Sequence, residues 1–254
     1  INTVFLSSHV CKMKKPYIEK LEQMKKIGLL LLAAVAAAGL SSCNDTKVDQ
    51  PGNMSFVTVR TLSTSDYYFV TDTDKRVYPG DKSRVGSYVA KDGQRALITF
   101  NVLENPAPGY DYNVALYGIA NIYSSVARVV TSETELEELK DDAVLVRDGR
   151  LLGSWTTLVV RYAASDASKH KFAMIVNKVS EAAETDGEYL DVELRHDNGG
   201  DAQWNLYESY VSFDMQDLEE LLGGKKGIRI RYKDGSDVDY FKLDRMTSET
   251  EKTF

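Results

Sequence analysis

Residue types that could perform chemistry are scarce in this sequence, and none of them falls into a catalytic pattern. The 254 residues include three His and two Cys. His170 and His196 lack the i, i+4 spacing of a zinc-binding helix, so a metal site at His196-Asp197 is a weaker interpretation than a hydrogen-bonded structural histidine. No Ser lies in a Gly-x-Ser-x-Gly elbow. We therefore predict a protein without catalytic residues, a resident metal or a cofactor.

Two acidic segments leave a calcium site open as an alternative. Asp72-Thr-Asp74 and Asp234-Gly-Ser-Asp237-Val-Asp239 place carboxylates at alternate positions, and a hard cation such as Ca²⁺ prefers oxygen ligands. Neither segment has the loop length or the terminal Glu of an EF-hand. Acidic hairpin turns explain both segments equally well.

Cys43 is the residue whose position indicates a definite modification. Met24-Lys-Lys precedes an uncharged, mostly apolar segment over residues 27–40, which has the length of a signal-peptide core, whereas a membrane-spanning helix needs about 20 residues. Leu40-Ser-Ser-Cys43 then resembles the lipobox of bacterial lipoproteins, in which diacylglycerol is attached to the Cys sulfur before cleavage makes that Cys the first residue. We predict lipidation of Cys43. Ordinary secretion with a free Cys43 thiol is the alternative.

This interpretation divides the first part of the chain into three segments. Residues 1–23 are expected to be upstream sequence from a misassigned start, residues 24–42 a lipoprotein signal peptide, and residues 43–53 a polar tether. Because six Lys and two Glu lie in residues 1–42, residues 43–254 keep 25 of the 31 basic and 36 of the 38 acidic residues, a net charge of about −11. An acidic body argues against nucleic-acid binding, which favours a basic face. The expected partners are the membrane, through the lipid, and an envelope protein, a peptide or a glycan.

The elements that must position any binding residue are predicted to be β-strands. About five strands over residues 54–131 predict a small closed barrel, with a bend or bulge at Gly118 in the long stretch Tyr110–Val130. Residues 132–142 are predicted to be a linker with a short helix, since Ser132 and Glu135 have capping-box spacing. Residues 143–245 contain strand-length segments separated by turns, as in a β-sandwich.

Turn residues place the strand ends within the second domain. Asp148-Gly149 predicts a two-residue hairpin, and Asp234-Gly-Ser-Asp237 predicts another turn. Gln216–Leu222 is predicted to be a short helix, and residues 246–254 a flexible tail. In the first domain four tyrosines near predicted turns are candidates for a binding face, since aromatic rings with a polar tip suit sugars and interfaces: Tyr67, Tyr68, Tyr110 and Tyr112.

The order of several segments resembles the NigD-like lipoproteins of the bacterial outer envelope. The segments are Leu40-Ser-Ser-Cys43, Arg76-Val-Tyr-Pro79, Lys91–Asn101, Gly109-Tyr-Asp-Tyr112, Leu190–Asn198 and Tyr210-Val-Ser-Phe-Asp214, within about residues 43–245. The resemblance implies an all-β protein, with an N-terminal OB-like β-barrel followed by an Ig-like antiparallel β-sandwich. It carries over no catalytic residue.

The sequence and this resemblance together predict a lipid-anchored protein of the bacterial cell envelope, at the outer membrane, that acts as a non-catalytic binding or accessory module. A glycan-binding accessory of a polysaccharide-uptake system is one alternative. A role related to bacteriocin immunity is another, and it depends on the family name alone.

Overall fold

The computed structural model of the protein describes residues 50–63, 65–179, 187–202 and 204–247. The predicted upstream segment, the signal peptide and Cys43 lie outside the described residues, as do most of the tether and residues 248–254 of the predicted tail. No helix in the four described ranges combines the length and the apolarity needed to span a bilayer.

The first domain is a closed five-stranded barrel, which confirms the expected architecture. β1 pairs with both β2 and β4, so the strand order β1-β2-β3-β5-β4 closes on itself. Alternate residues point inward because side chains alternate along a strand, and the buried set includes Val57, Phe69, Ile98 and Leu116. The strands are β1 (Asn53–Thr61), β2 (Tyr67–Thr71), β3 (Arg76–Asp81), β4 (Arg95–Val102) and β5 (Tyr112–Asn121).

The predicted irregularity at Gly118 is confirmed as a β-bulge. Thr99 of β4 lies opposite Gly118 and Phe100 lies opposite Leu116, so Tyr117 is the extra residue. The barrel ends earlier than predicted, however. Residues 123–130 form two further strands, β6 (Tyr123–Val126) and β7 (Arg128–Val130), which pair with strands of the second domain. An apolar β-rich run shows that strands form, but it does not show which sheet they join.

The second domain is a β-sandwich of two packed layers. One layer has the order β6-β12-β9-β8 and the other β14-β13-β11-β10-β7, and the last residues of β14 pair with β8 to join them. Buried residues of both layers form one core. The remaining strands are β8 (Leu145–Leu152), β9 (Trp155–Ala164), β10 (Lys171–Asn177), β11 (Tyr189–Asp197), β12 (Asn205–Asp214), β13 (Gly227–Asp234) and β14 (Asp237–Met246).

Strand directions in this sandwich are mixed, whereas the sequence predicted antiparallel pairing. Within the described residues four pairs are parallel: β6 with β12, β7 with β10, β8 with β14 and β11 with β13. β11 and β13 show why such pairs are parallel. β12, which lies between them in the sequence, belongs to the other layer and brings the chain back, so the chain enters β13 in the same direction as β11. Met246, assigned to the flexible tail, pairs with Leu152.

The predicted hairpin at Asp148-Gly149 is wrong. β8 runs straight through these residues with a bulge, since Val146 lies opposite Val160 and Asp148 lies opposite Val159. The chain reverses instead at Gly153-Ser154, where Gly153 has a φ of 58°. An Asp-Gly pair suits a bulge as well as a turn, so local composition did not distinguish them. The second predicted turn is confirmed, because Asp234 pairs with Asp237.

Two short helices occupy the predicted positions. α1 (Glu133–Glu138) begins after Ser132, but the Ser132 side chain makes no capping hydrogen bond, and Glu135 accepts one from Arg128 Nε at 3.0 Å. α2 (Glu219–Leu222) follows a 3₁₀ turn over Gln216–Leu218.

Candidate functional site

A buried ion-pair cluster joins the barrel to the sandwich. Asp72 follows β2, Arg95 begins β4, and Arg150 lies in β8. Arg95 Nη1 lies 2.8 Å from Asp72 Oδ1, and Arg150 Nη2 donates to Asp72 Oδ2 at 2.5 Å. The side chains of Asp72, Arg95 and Arg150 are 1%, 0% and 10% exposed. A buried charge without a partner is strongly destabilising, so the carboxylate and the two guanidiniums stabilise one another. The cluster therefore holds the barrel and the sandwich in a fixed relative position.

Aromatic rings cover both guanidiniums of this cluster. The Trp155 ring centroid lies 4.0 Å from Arg95 Cζ, and the Phe56 ring centroid lies 4.6 Å from Arg150 Cζ. Burial lowers the pKa of Arg95 from its ordinary value, and the nearby Asp72 carboxylate opposes that fall. The cluster therefore keeps its charges paired under a hydrophobic cover.

One carboxylate of each acidic segment has protein side chains as partners. Both carboxylate oxygens of Asp72 face arginines. In the second segment Asp239 accepts a hydrogen bond from the Tyr232 hydroxyl at 3.1 Å. In the part of the chain that the structure describes, no three His, Cys, Asp or Glu side chains converge on a point where a metal could bind.

An open cleft of about 630 Å³ adjoins the cluster and has walls from both domains. Four large apolar or aromatic residues of its lining are exposed to solvent. The exposed fractions are 44% for Met54, 52% for Val102, 43% for Tyr112 and 39% for Tyr210. The barrel contributes the ends of its strands, and the sandwich contributes β8, β9 and β12. The lining includes Met54, Phe56, Val77, Phe100, Val102 and Tyr112 from the barrel, and Asp148, Arg150, Thr157, Val159 and Tyr210 from the sandwich.

An aromatic contact joins the two walls of the cleft. The rings of Phe56 and Tyr210 meet edge to face, with centroids 5.1 Å apart. The charged groups of the cleft are few, and Lys75 is one of them, with its Nζ 3.4 Å from Asp111. The surface is thus mainly apolar with a few polar groups, the composition expected of a binding site between domains.

The four tyrosines predicted to form one face lie in three different places. Tyr67 is buried in the barrel core, and Tyr112 lines the cleft. Tyr68 and Tyr110 come together with centroids 5.6 Å apart, and the Arg76 guanidinium lies over both rings at 4.9 and 5.0 Å. Because Arg76 already covers these rings, the tyrosine pair is a weaker candidate for sugar stacking than the sequence suggested.

Comparisons with known families agree with this two-domain architecture. The family model of the NigD-like N-terminal OB domain matches residues 56–122, and that of the NigD-like C-terminal beta sandwich domain matches residues 127–244. The chain belongs to the NigD-like family. The boundary between the two matches falls at residues 122–127, where the structure leaves the barrel. No curated protein matches this NigD-like protein.

Several solved structures share the fold of this NigD-like protein. A protein of unknown function from Bacteroides vulgatus is 18% identical with a TM-score of 0.64, over 79% of this chain and 94% of that one. A NigD-like immunity protein from Bacteroides caccae is 17% identical with a TM-score of 0.53, over 75% and 90%. A Bacteroides fragilis protein provisionally classed as a lipoprotein is 13% identical with a TM-score of 0.57, over 77% and 99%. At these identities the likeness establishes the fold and no more.

The two histidines that the structure of this NigD-like protein describes form a buried pair. His170 Nδ1 lies 2.8 Å from His196 Nε2, and His196 Nδ1 lies 3.0 Å from the Ala143 carbonyl oxygen. Since a carbonyl only accepts, the proton of neutral His196 is on Nδ1, and its Nε2 accepts from His170. Burial lowers the pKa of His196 from its ordinary value, and the hydrogen bond to Ala143 works against this shift.

Asp201 lies on the other side of His170. Its carboxylate lies 3.5 Å from His170 Nε2. Hydrogen bonds from the backbone N–H groups of Asp166 and Ser165 hold the pKa of Asp201 well below its usual range. The sequence indicated a hydrogen-bonded structural histidine at His196. It gave no sign that His170 would be the partner, because the two residues lie on different strand ends.

Proposed function

We propose that this NigD-like protein is a lipid-anchored, non-catalytic protein of the bacterial outer membrane that binds a partner in the cleft between its barrel and its sandwich. The observation that carries the proposal is the exposure of Met54, Val102, Tyr112 and Tyr210 around one cavity. Exposed apolar side chains grouped in a concave surface are typical of binding sites, whereas single ones are ordinary.

The chemistry of the cleft supports binding without catalysis. Arg150 is held by Asp72, and Lys75 lies beside Asp111. The histidine pair, an acid–base candidate among the described residues, is not among the residues that line the cleft. A nucleophile beside a general base, which catalysis of group transfer would need, is not among the contacts described around the cleft.

The membrane anchor is a separate part of the proposal and depends on Cys43 after the apolar segment over residues 27–40. Cys43→Ala should move the protein from the membrane fraction to the soluble fraction, because the acyl chains supply the membrane affinity. Ser42→Ala keeps a small residue before Cys43, is the matched control and should leave the protein in the membrane fraction. Retention of the Cys43→Ala protein in the membrane would refute the anchor.

Site-specific photocrosslinking in cells tests the binding role. A benzoylphenylalanine at Val102 or at Tyr112 should form covalent adducts, since both positions are in the cleft. The same group at Val89, which is 84% exposed and outside the cleft, is the control and should form none. An absence of adducts at both cleft positions would overturn the binding proposal.

The chemical nature of the adduct distinguishes the alternatives for the partner. A carbohydrate adduct would favour a glycan-binding accessory of polysaccharide uptake. An adduct with a bacteriocin peptide would favour a role in immunity, which the name of the Bacteroides caccae relative suggests for that protein. An adduct with a resident envelope protein is the result that we expect.

A further inference from the structure

We propose that the partner presents an extended peptide strand, which pairs with an open edge of β1 in the cleft. This inference rests on the proposed binding function and names the class of its partner. It begins from the pairing of β1. β4 covers β1 from Asn53 to Thr58, whereas β2 covers it only from Val57 to Thr61. In the described ranges no strand pairs with the β2 side of β1 over residues 53–56.

The backbone direction shows which groups this open edge presents. Val59 donates its N–H to Gln94 and accepts from the Gly93 N–H, so its polar groups point to the β4 side. Backbone direction alternates along a strand, and the N–H groups of Met54 and Phe56 therefore point to the opposite, open side. Met54, Phe56 and the facing segment Asp148–Arg150 all line the cleft, so the open edge lies inside it.

The side chains of the cleft suit a peptide strand on this edge. Val102 and Tyr112 belong to the barrel wall of the cleft, and Phe56 contacts Tyr210 of the sandwich wall. A strand presents alternate side chains to opposite faces, so an added strand would contact both apolar surfaces at once. A sugar chain offers no backbone donors and acceptors at the strand spacing, which makes a peptide the better match.

Residues 50–52, which precede β1, are held away from this edge. Gly52 donates its N–H to Asn101 Oδ1 at 2.6 Å, and Asn101 Nδ2 donates to the Gln50 carbonyl at 3.2 Å. Asn101 belongs to β4, so residues 50–52 lie on the β4 side of β1. Residues 50–52 therefore leave the open edge accessible to a strand from another molecule.

The proposed anchor limits where that molecule is found. Gly52 lies nine positions after Cys43 in the sequence. A fully extended chain covers at most about 3.6 Å per residue, so the cleft lies within roughly 32 Å of the lipid. A strand from a protein at the same membrane surface is therefore within reach of the cleft, and such a protein is the partner that we propose.

Photocrosslinking from Val102 in the full-length chain tests strand addition. Met54→Pro removes the N–H on the open edge and keeps the ladder with β4, since an edge strand tolerates Pro where its N–H faces outward. We expect about tenfold fewer peptide adducts, the fold-change that corresponds to one lost hydrogen bond. Met54→Ala retains the N–H and is the matched control, with adducts reduced less than Met54→Pro reduces them.

A second measurement does not depend on the folding of the proline variant. In the adduct formed from Val102 with Met54 unchanged, amide hydrogen exchange at Met54 and Phe56 should be slower by about tenfold or more than in the free protein. The reason is that both amides become hydrogen-bonded. Unchanged exchange at both amides, peptide adducts at wild-type level in a folded Met54→Pro protein, or a carbohydrate adduct would overturn strand addition and leave the binding function standing. No adduct at any cleft position would overturn the binding function itself.

Discussion

Asp72 of the barrel and Arg150 of the sandwich form a hydrogen-bonded ion pair across the junction between the two domains, with Oδ2 and Nη2 2.5 Å apart. The other oxygen of Asp72 lies 2.8 Å from Arg95. One carboxylate thus serves two guanidiniums, and the three side chains are nearly excluded from water. The cleft walls keep their relative position because this cluster lies directly beside them.

Asp72→Ala should destabilise the protein strongly. Removal of the carboxylate takes from Arg95 and Arg150 the counter-charge that both guanidiniums share, and breaking a buried pair in this way costs about 3–5 kcal/mol. Glu208→Ala is the matched control, because Glu208 pairs with Arg161 in an exposed pair and should cost below about 1 kcal/mol. Urea unfolding of both variants measures the difference. Equal losses would show that the junction cluster does not stabilise the fold.

Gly153→Ala should also weaken the junction. Gly153 has a φ of 58°, and a Cβ at this position would lie 2.1 Å from the Asp72 carbonyl oxygen. The left-handed conformation costs an L-residue about 1–2 kcal/mol, and the forced displacement adds about 1–3 kcal/mol.

Gly235→Ala separates the two contributions to the Gly153 effect. Gly235 has a φ of 63° in the other Gly-Ser hairpin, but nothing lies within 4 Å of its added Cβ. Only the conformational cost of about 1–2 kcal/mol applies there. If Gly153→Ala lowered the free energy of unfolding no more than Gly235→Ala, the close approach to Asp72 would make no contribution to the loss of stability.

Regular alternation made much of the fold predictable from the sequence. The first domain is a closed barrel as predicted, and the bulge lies at Gly118. These features follow from local rules, because the apolar period and glycine freedom are properties of short segments. The order of layers and the direction of pairing depend on long-range contacts instead, which explains why β6 and β7 were assigned to the barrel.

The candidate site was beyond prediction for the same reason. Asp72 and Arg150 are 78 residues apart and meet only because the Gly153 turn packs on the residue after β2. The exposure of Met54 and Tyr210 likewise depends on two domains that leave a gap between them. The charge of the acidic segment at residues 72–74 is visible in the sequence. The two arginines that pair with Asp72 are connected to it by no local pattern.

The stability of the protein should fall as the pH drops below about 6.5, the ordinary pKa of histidine. Burial lowers the pKa of His196 in the folded state, so the unfolded chain binds a proton that the folded protein does not. The stabilisation is complete above the unfolded pKa and is lost as the pH falls, with a slope of at most about 1.4 kcal/mol per pH unit for one group.

His196→Gln tests the origin of this pH dependence. It removes the titrating ring, so the slope of the free energy of unfolding between pH 5 and 7 should become smaller. The depressed pKa of Asp201 contributes in a separate, lower window, below about pH 4, and should persist in the variant. A wild-type slope that His196→Gln leaves unchanged would assign the effect to other groups.

The barrel and the sandwich should unfold together, because the junction that joins them is buried in both. Trp155 reports on this junction, since its ring covers the Arg95 guanidinium at 4.0 Å, whereas Trp204 is 84% exposed. Trp204→Phe leaves Trp155 as the only tryptophan of the chain. In this variant the fluorescence of Trp155 and the far-ultraviolet circular dichroism should change at the same urea concentration, as in a two-state transition. Addition of Asp72→Ala should separate the two curves, with the fluorescence change first, because the junction then opens before the cores melt. Separate transitions already in the Trp204→Phe protein would mean that the domains are only loosely coupled and that the cleft between them has no fixed width.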